Sequence, residues 1–170
     1  MRQEFLSWSE IDQLIDHLIP QFNQVFESMV VITRGGIVPG GLLAEALQIE
    51  EILTAAVDFP AEAGESDTET RHVFTWPQFL QFPEPALVRG KKILVVDDVW
   101  GSGRTVTAVS NRLSGSGSEP CTCVLHFNPY RNVLSNLRPD YYAAITDAMI
   151  IYPWEARRGG DRVMLPPTGP

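Results

Sequence analysis

Cysteine, basic charge and long apolar runs are all scarce in this chain of 170 residues. The two cysteines, Cys121 and Cys123, have neither the spacing of a zinc site nor comfortable disulfide geometry, so we expect free thiols. Thirteen basic against twenty-one acidic side chains give a net charge of −8, which excludes a sequence-blind nucleic-acid binder. No apolar run reaches the roughly 20 residues of a membrane span, and no secretory signal is visible. We therefore expect a cytoplasmic protein that binds neither nucleic acid nor membrane.

Helix and strand patterns alternate along the chain. Apolar residues recur at helical spacing from Phe5 to Ile19, with Ser7 or Ser9 as the N-cap, and predict a first helix. Strands are predicted at residues 29–33, 52–59, 73–76, 92–96, 121–127, 141–145 and 149–152. This order is typical of an α/β protein with a mainly parallel sheet flanked by helices. We predict a single domain over residues 1–170, with a tail from residue 156 that wraps around it or is flexible.

A loop of small residues separates the 92–96 strand from the next predicted helix; it consists of Gly101, Ser102, Gly103, Arg104 and Thr105. Backbone N–H groups and a helix N-terminus converge there, which favours a phosphate group. Hydroxyl groups and one guanidinium add further donors. The loop lacks the Gly-Lys-Ser/Thr ending of a Walker motif. A similar Gly/Ser segment at 114–118 follows a helix, and we interpret it as a turn.

Two adjacent carboxylates, Asp97 and Asp98, lie directly before the 101–105 loop. Ligands of open parallel sheets bind beyond the carboxyl ends of the strands. Such a pair accepts hydrogen bonds from vicinal hydroxyls or binds Mg²⁺ through a water shell. Together with the loop, the pair suits a ribose 5-phosphate; the alternative is two turn-forming acids that cap the next helix. We expect both acids at a solvated strand end, where their removal changes stability little.

A second loop, Thr33, Arg34, Gly35 and Gly36, also follows a strand and precedes a helix. Two glycines allow the backbone to approach a ligand closely. The guanidinium of Arg34 is suited to binding a pyrophosphate with several donors at once. The alternative, a simple strand-to-helix turn, would not need an arginine.

These motifs carry a resemblance to a known family. Residues 93–105 resemble the phosphoribosyl-pyrophosphate (PRPP) motif of type I phosphoribosyltransferases. Residues 32–40 resemble the pyrophosphate loop of the bacterial xanthine–guanine enzymes, and Tyr152-Pro-Trp-Glu155 resembles their Pro-Trp-acid step. The resemblance covers about residues 6–167 and implies the type I fold, with a small hood built from the termini.

The resemblance also implies a reaction. It is the Mg²⁺-dependent transfer of ribose 5-phosphate from PRPP to a purine-like nucleobase, with release of pyrophosphate. Arg34, Asp97 and Asp98 are then the catalytic residues, and Asp98 is the Mg²⁺ ligand. The 101–105 loop binds the 5′-phosphate, and the 33–36 loop binds pyrophosphate. The family further implies a homodimer or homotetramer, and a mobile lid where this chain has its acidic segment at 60–71. A solvated loop is the alternative for that segment.

Base recognition departs from the family pattern. The 6-oxopurine enzymes have a general-base aspartate where Gly101 stands and a lysine where Asn128 stands, and their stacking aromatic aligns with Met149. We predict that Asn128, Met149 and Ile150 contact the nucleobase or the base of a nucleoside monophosphate. Gly101 and Asn128 favour the alternative function, a PRPP- or nucleotide-sensing regulator with little or no catalysis. The intact 33–36 loop favours the enzyme.

The remaining candidates have no partner at catalytic spacing. His17, His72 and His126 show neither metal-ligand nor triad spacing, and we expect structural roles for them. Trp100 is unusual within a phosphate motif. It either packs under the 101–105 loop or meets a partner subunit.

Overall fold

The computed structural model describes residues 2–60, 76–132 and 137–155. The strands are Gln3–Phe5 (β1), Ser28–Ile32 (β2), Ile52–Asp58 (β3), Gln78–Gln81 (β4), Lys92–Trp100 (β5), Glu119–Phe127 (β6), Tyr141–Ile145 (β7) and Met149–Ile151 (β8). The helices are Trp8–Leu18 (α1), Ile37–Leu47 (α2), Pro85–Val88 (α3) and Arg104–Gly115 (α4). Ser7 is the cap of α1: its hydroxyl accepts a hydrogen bond from the Glu10 N–H, and the Glu10 carboxylate accepts one from the Ser7 N–H.

A six-stranded sheet with the order β4-β3-β2-β5-β6-β7 forms the centre of the fold. All neighbouring strands are parallel except β4, which runs antiparallel to β3 at one edge. The central strands are apolar on both faces, as expected for a parallel sheet covered by helices. The predicted mainly parallel α/β fold is therefore confirmed.

Alternate residues of the central strands face two separate cores. One core lies against α1 and α2 and contains Met29, Val31, Leu94, Val96, Cys123 and Leu125 from the sheet. The other lies against α4 and contains Val30, Ile32, Ile93, Val95 and Val124. Because helices cover both faces of the central strands, a ligand can reach these strands at their ends and at the loops that follow them.

A second, two-stranded sheet pairs the two ends of the described chain. Strands β1 and β8 run parallel, and Phe5 lies opposite Ile151. The Leu6 N–H donates to the Ile151 carbonyl at 3.0 Å and continues the pairing. This sheet is the predicted hood. Strand β1 itself was not predicted, because its three residues are all exposed and show no apolar alternation.

Other sequence predictions differ from the structure at the sheet edge. Most of the predicted 73–76 strand lies outside the described residues, Trp76 is not in a strand, and the edge strand is β4. The acidic segment at 60–71, His72 and the tail from residue 156 also fall almost wholly outside the described residues. Cys121 and Cys123 are free thiols, as predicted. Among the helices of the described ranges, none has the length and apolarity needed to cross a membrane.

Candidate active site

Strands β2 and β5 are neighbours in the sheet, so the 33–36 loop at the end of β2 lies against the acid pair of β5, whereas the predicted 101–105 loop does not line the cavity found there. A cavity of about 600 Å³ opens there, lined by Arg34, Gly35, Asp97, Asp98, Trp154 and Glu155. Three segments that are far apart in the chain therefore share one cavity: the 33–36 loop, the acid pair, and the segment that follows the hood strand β8.

The two acids lie within β5 and not beyond its end, which corrects the expectation of a solvated strand end. Strand β5 pairs with β6 as far as Trp100 and Phe127, so the sheet holds the backbone on both sides of the acids. Asp98 is only 8% exposed. Its N–H donates to Asp97 Oδ1 at 3.0 Å. The acid pair is thus a rigid, largely buried feature of the sheet.

Burial changes the protonation of both acids. It raises the pKa of Asp98 to about 6, and the negative charge of Glu155 acts in the same direction. The N–H groups of Val99 and Asp98 and the Trp154 indole oppose that rise in pKa. The pKa of Asp97 is raised well above its usual value by burial and then by the charge of Asp98. A cation or a set of hydroxyl donors in the cavity would stabilise both carboxylates, as at many ligand sites.

Gly35 lies directly against the Asp98 carboxylate. A Cβ atom at position 35 would lie 2.5 Å from the carboxylate carbon of Asp98, and one at Gly36 would overlap the Val96 carbonyl oxygen. Thr33 anchors the same loop to β3, because its N–H donates to the Ala55 carbonyl at 2.8 Å. Both glycines of the 33–36 loop are therefore required by close approach to β5.

Gly35→Ala should damage the site, whereas Gly41→Ala should not. The added methyl group at 35 must displace Asp98 or the loop, and overpacking of this kind costs about 1–3 kcal/mol of stability. Gly41 lies in the interior of α2, and in the part of the chain that the structure describes nothing lies within 4 Å of an added Cβ. Alanine there should stabilise the protein by roughly 0.5–1 kcal/mol. Thermal denaturation and PRPP titration of both variants test the difference; equal behaviour of the two would contradict the packing argument.

The 101–105 loop is supported from below by Trp100. The indole of Trp100 is buried, and a Cβ at Gly103 would lie 2.5 Å from its Nε1 atom. Gly103 also has a φ of +79°, which favours glycine. The Arg104 N–H donates to Ser102 Oγ at 3.4 Å as α4 begins. Of the two interpretations of Trp100, the structure supports packing under the loop.

Arg104 and Gly101 occupy different environments in that loop. The Arg104 guanidinium lies 4.0 Å above the Phe59 ring, at the end of β3. This cation–π contact ties the loop to the neighbouring part of the sheet. Gly101, in contrast, has open space around it: no atom of residues 2–60, 76–132 or 137–155 lies within 4 Å of an added Cβ. A larger side chain is therefore accommodated at position 101.

The three predicted base contacts lie outside the cavity lining. Asn128 is buried, and its Oδ1 atom accepts hydrogen bonds from the N–H groups of Tyr130 at 3.1 Å and Arg131 at 3.2 Å. Ile150 packs into the core beside α1, whereas Met149 on the hood is 44% exposed. Contact of these residues with a base stays a prediction. Asn128 has, in addition, a structural role that the sequence did not reveal.

Trp154 and Glu155 are site residues to which sequence reasoning gave no role. Both line the cavity, and the buried indole Nε1 of Trp154 has no hydrogen-bond partner of good geometry among the described residues. The Glu155 carboxylate accepts a hydrogen bond from the Tyr152 N–H at 3.0 Å, which closes a turn. The only sequence signal was the Pro-Trp-acid step, and that step does not show which side chains turn toward Asp98.

The carboxylates of the cavity bear on whether the site can hold a metal ion. Within residues 2–60, 76–132 and 137–155, no three His, Cys, Asp or Glu side chains lie close enough to hold an ion by themselves. The cavity does carry three carboxylates, Asp97, Asp98 and Glu155. Mg²⁺ in phosphate-binding sites commonly takes one or two carboxylates and completes its shell with water and substrate oxygens. These residues fit Mg²⁺ that arrives together with a phosphorylated ligand.

Comparison with known proteins agrees with this geometry. Residues 2–151 match the phosphoribosyl transferase domain family. A purine phosphoribosyltransferase from Pyrococcus horikoshii is 24% identical with a TM-score of 0.73, covering 94% of this chain and 97% of that one. A hypothetical protein from Neisseria gonorrhoeae with bound ppGpp is 22% identical with a TM-score of 0.76, covering 92% and 90%.

The third similar structure comes from the subfamily that the sequence motifs resemble. A Helicobacter pylori xanthine-guanine-hypoxanthine phosphoribosyltransferase is 19% identical with a TM-score of 0.70, covering 91% of this chain and 94% of that one. At these identities the likeness shows the fold. The match over residues 2–151 shows the family, and it confirms the resemblance predicted from the PRPP motif. The chain belongs to the phosphoribosyl transferase domain family.

Proposed function

We propose that this protein transfers ribose 5-phosphate from PRPP to a nucleobase of purine-like chemistry and releases pyrophosphate. The observation that carries the proposal is the shared cavity, in which Arg34 and Gly35 face the acid pair of β5. PRPP requires two features side by side: a group that binds pyrophosphate and a pair of acceptors for the ribose hydroxyls. Membership of the phosphoribosyl transferase domain family supports this assignment.

Each loop takes one part of the substrate in this proposal. Arg34 and the 33–36 backbone bind the pyrophosphate, and Asp97 and Asp98 accept hydrogen bonds from the ribose hydroxyls. The 101–105 loop and the N-terminus of α4 bind the 5′-phosphate. Pyrophosphate leaves the anomeric carbon as a ring nitrogen of the base arrives, and positive charge develops on the sugar. Catalysis is then mostly orientation together with electrostatic stabilisation by fixed charges.

Mg²⁺ belongs to the proposal as the cofactor of this reaction. Asp98 is the predicted protein ligand, and Glu155 lines the same cavity. When bound, the ion neutralises negative charge on the pyrophosphate group. The protein has a net charge of −8, so the anionic substrate must be held by such local positive charge against the overall field.

The proposal is tested by incubating the protein with PRPP, Mg²⁺ and a panel of purine and pyrimidine bases while pyrophosphate is followed. We expect release with at least one purine-like base and none when Mg²⁺ is chelated. Arg34→Ala serves as the matched inactive variant. Release that does not depend on any base, or no release with any base, would contradict transfer as the function.

Arg34→Ala should weaken the binding of some ligands of the site and not of others. PRPP and pyrophosphate fill the 33–36 loop, whereas a nucleoside monophosphate leaves it empty. Loss of a charge-assisted contact costs about 1.5–3 kcal/mol, so affinity for PRPP and pyrophosphate should fall by roughly tenfold or more. Affinity for the monophosphate should change little. Calorimetric titration of all three ligands measures this; an equal loss for all three would place Arg34 in a structural role or in the 5′-phosphate site.

A second candidate function is a sensor of PRPP or of a nucleotide, with little or no catalysis. Two observations favour it: Gly101 and Asn128 stand where 6-oxopurine enzymes have their base and lysine, and the similar Neisseria gonorrhoeae protein contains bound ppGpp. We infer that a nucleotide with a pyrophosphate group would compete with PRPP for the same cavity. Tight binding of PRPP or ppGpp without pyrophosphate release from any base would favour the sensor over the enzyme.

Three expectations about the whole protein stay predictions. These are the single domain over residues 1–170, the homodimer or homotetramer, and the cytoplasmic location. Contact of Asn128, Met149 and Ile150 with the base stays a prediction as well.

A further inference from the structure

A buried chain of hydrogen bonds ends on the backbone of Asp98. The Tyr152 hydroxyl donates to the Asp98 carbonyl oxygen at 2.9 Å. His126 Nδ1 lies 2.9 Å from the same hydroxyl oxygen. Both side chains are buried, and Tyr152 is only 1% exposed. The chain links β6, the segment after β8, and the strand that carries the acid pair.

The direction of these bonds is fixed by chemistry. A carbonyl oxygen only accepts, so the single hydroxyl proton of Tyr152 points to Asp98. The hydroxyl oxygen must then accept from His126, which places the imidazole proton on Nδ1. Burial lowers the pKa of His126 to about 4 and raises the pKa of Tyr152 well above its usual value. Both groups therefore keep these protons at neutral pH.

The hydrogen bond from Tyr152 acts on the peptide group that faces the Asp98 side chain. The Asp98 carbonyl and the Val99 N–H belong to one planar peptide. The Val99 N–H stabilises the ionised Asp98 carboxylate and so lowers the pKa of that group. Fixing the carbonyl end of this peptide therefore also fixes the Val99 N–H, which acts on the Asp98 carboxylate.

Tyr152 also supports the opposite wall of the cavity. Its ring stacks on that of Trp154, with the ring centroids 4.6 Å apart and an interplanar angle of 6°. Its backbone N–H donates to the Glu155 carboxylate at 3.0 Å. Three cavity-lining residues, Asp98, Trp154 and Glu155, thus depend on one tyrosine that does not itself line the cavity.

We propose that Tyr152 is a positioning residue for PRPP binding, which holds the Asp98 peptide in place while His126 orients its hydroxyl. The inference rests on the proposed function, because it concerns the residue that binds the ribose of PRPP. A tyrosine in this place couples the segment after β8 to the acid pair, because it contacts the Asp98 backbone as well as Trp154 and Glu155.

Three variants separate positioning from stability. Tyr152→Phe removes the hydroxyl but leaves the His126 N–H without an acceptor, so a loss of stability is expected as well. Combining it with His126→Leu replaces both polar partners and should recover most of the thermal midpoint. Tyr141→Phe is the matched control: that hydroxyl donates to Asn23 Oδ1 at 3.1 Å, outside the cavity.

The readout is the PRPP dissociation constant, measured by calorimetry, together with the amide resonance of Val99 without ligand. We expect about tenfold weaker PRPP binding for Tyr152→Phe and for the double variant. Tyr141→Phe should bind like the parent. Where turnover is measured, kcat/KM for PRPP should fall while KM for the base stays constant. The Val99 amide should shift in both Tyr152 variants and stay in place in Tyr141→Phe.

Two outcomes would overturn the proposal. Parent-like PRPP affinity in Tyr152→Phe would show that the hydroxyl positions nothing, and recovery of affinity in the double variant would show that Tyr152 acts only through stability. A parent protein that binds no PRPP contradicts the proposed function instead. An unmoved Val99 amide in Tyr152→Phe would then still contradict the positioning contact.

Discussion

Asp98→Asn is expected to weaken PRPP binding by about tenfold or more and, at the same time, to make the protein more stable. The carboxylate accepts hydrogen bonds from the ribose hydroxyls, or holds the metal, and each such charge-assisted contact contributes roughly 1.5–3 kcal/mol. Asparagine keeps the shape of the side chain but removes the charge. Adding Asp97→Asn should increase the loss, because both acids line the cavity.

The gain in stability follows from the raised pKa. The pKa of Asp98 rises from 3.8 to about 6 on folding, so the folded protein binds more protons than the unfolded chain between these values. Stability therefore falls as pH rises from about 4 to about 6, and the ionised carboxylate is unfavourable at pH 7. At about 1.4 kcal/mol per pKa unit, the penalty reaches up to about 3 kcal/mol. Asparagine removes it, and Tm should rise by about 2–4 °C per kcal/mol.

Thermal denaturation at pH 4 and pH 7 measures this effect. The variant should exceed the parent in Tm at pH 7, and the difference should shrink at pH 4, where the parent's Asp98 is protonated. Asp12→Asn, on the exposed face of α1, is the control and should follow the parent at both pH values. Parent and variant of equal stability at both pH values would contradict the buried, ionised state of Asp98. Unchanged PRPP affinity would remove Asp98 from the binding site.

Gly101→Asp is expected to raise turnover of guanine, xanthine and hypoxanthine by about tenfold or more. General-base assistance typically supplies roughly 10²–10⁴-fold in rate, and a glycine offers no proton acceptor. A left-handed backbone or a lack of space at position 101 would oppose this substitution, and the structure shows neither at that position. Left-handed φ values among the described glycines occur at Gly90, Gly103 and Gly117, and position 101 has open space for a side chain. Aspartate is therefore accommodated without backbone strain.

Gly101→Asn is the matched control, because it fills the same space without a basic group. Gly101→Asn should leave 6-oxopurine turnover at the parent's level. Both Gly101→Asn and Gly101→Asp should bind PRPP with the parent's affinity. Retained PRPP binding with no gain in turnover for Gly101→Asp would show that the base pocket is built for another acceptor.

The lysine of the 6-oxopurine enzymes is harder to restore. Asn128→Lys removes the Oδ1 atom that accepts from the N–H groups of Tyr130 and Arg131. Each buried donor left without a partner costs about 1–3 kcal/mol. The double variant with Gly101→Asp should therefore be less stable than the single one. For this reason Gly101→Asp alone is the cleaner test of the missing base.

Much of the fold and of the site could be predicted because the central elements are strongly patterned. Strands β2 and β5 each contain an uninterrupted apolar run, at 29–32 and 93–96, and a glycine-containing loop follows each strand before a helix. These signals are local, and they identified Arg34, the acid pair and the 101–105 loop. The family motif added the order of the loops and the hood. Strands β1 and β4 were not predicted, because they are short and mostly exposed and therefore show no alternation of apolar and polar residues.

The features that could not be predicted depend on contacts between distant segments. The acid pair is buried because β5 pairs with β6 as far as Trp100, beyond both acids. The sequence of β5 alone does not show how far the neighbouring strand β6 extends. Glu155 and Trp154 reach the cavity only through the turn after β8. The Tyr152 hydroxyl meets the Asp98 carbonyl from 54 residues away. No pattern of residue spacing in the sequence indicates any of these contacts.

One cavity holds the pyrophosphate and the ribose of PRPP together in the proposed function, and calorimetric titration of the parent protein tests this most directly. PRPP and ribose 5-phosphate are titrated separately in the presence of Mg²⁺. Both fill the 101–105 loop and contact the acid pair, but only PRPP reaches Arg34 and the 33–36 loop. We expect PRPP to bind at least about tenfold more tightly than ribose 5-phosphate. Equal affinities, or no binding of PRPP, would contradict it.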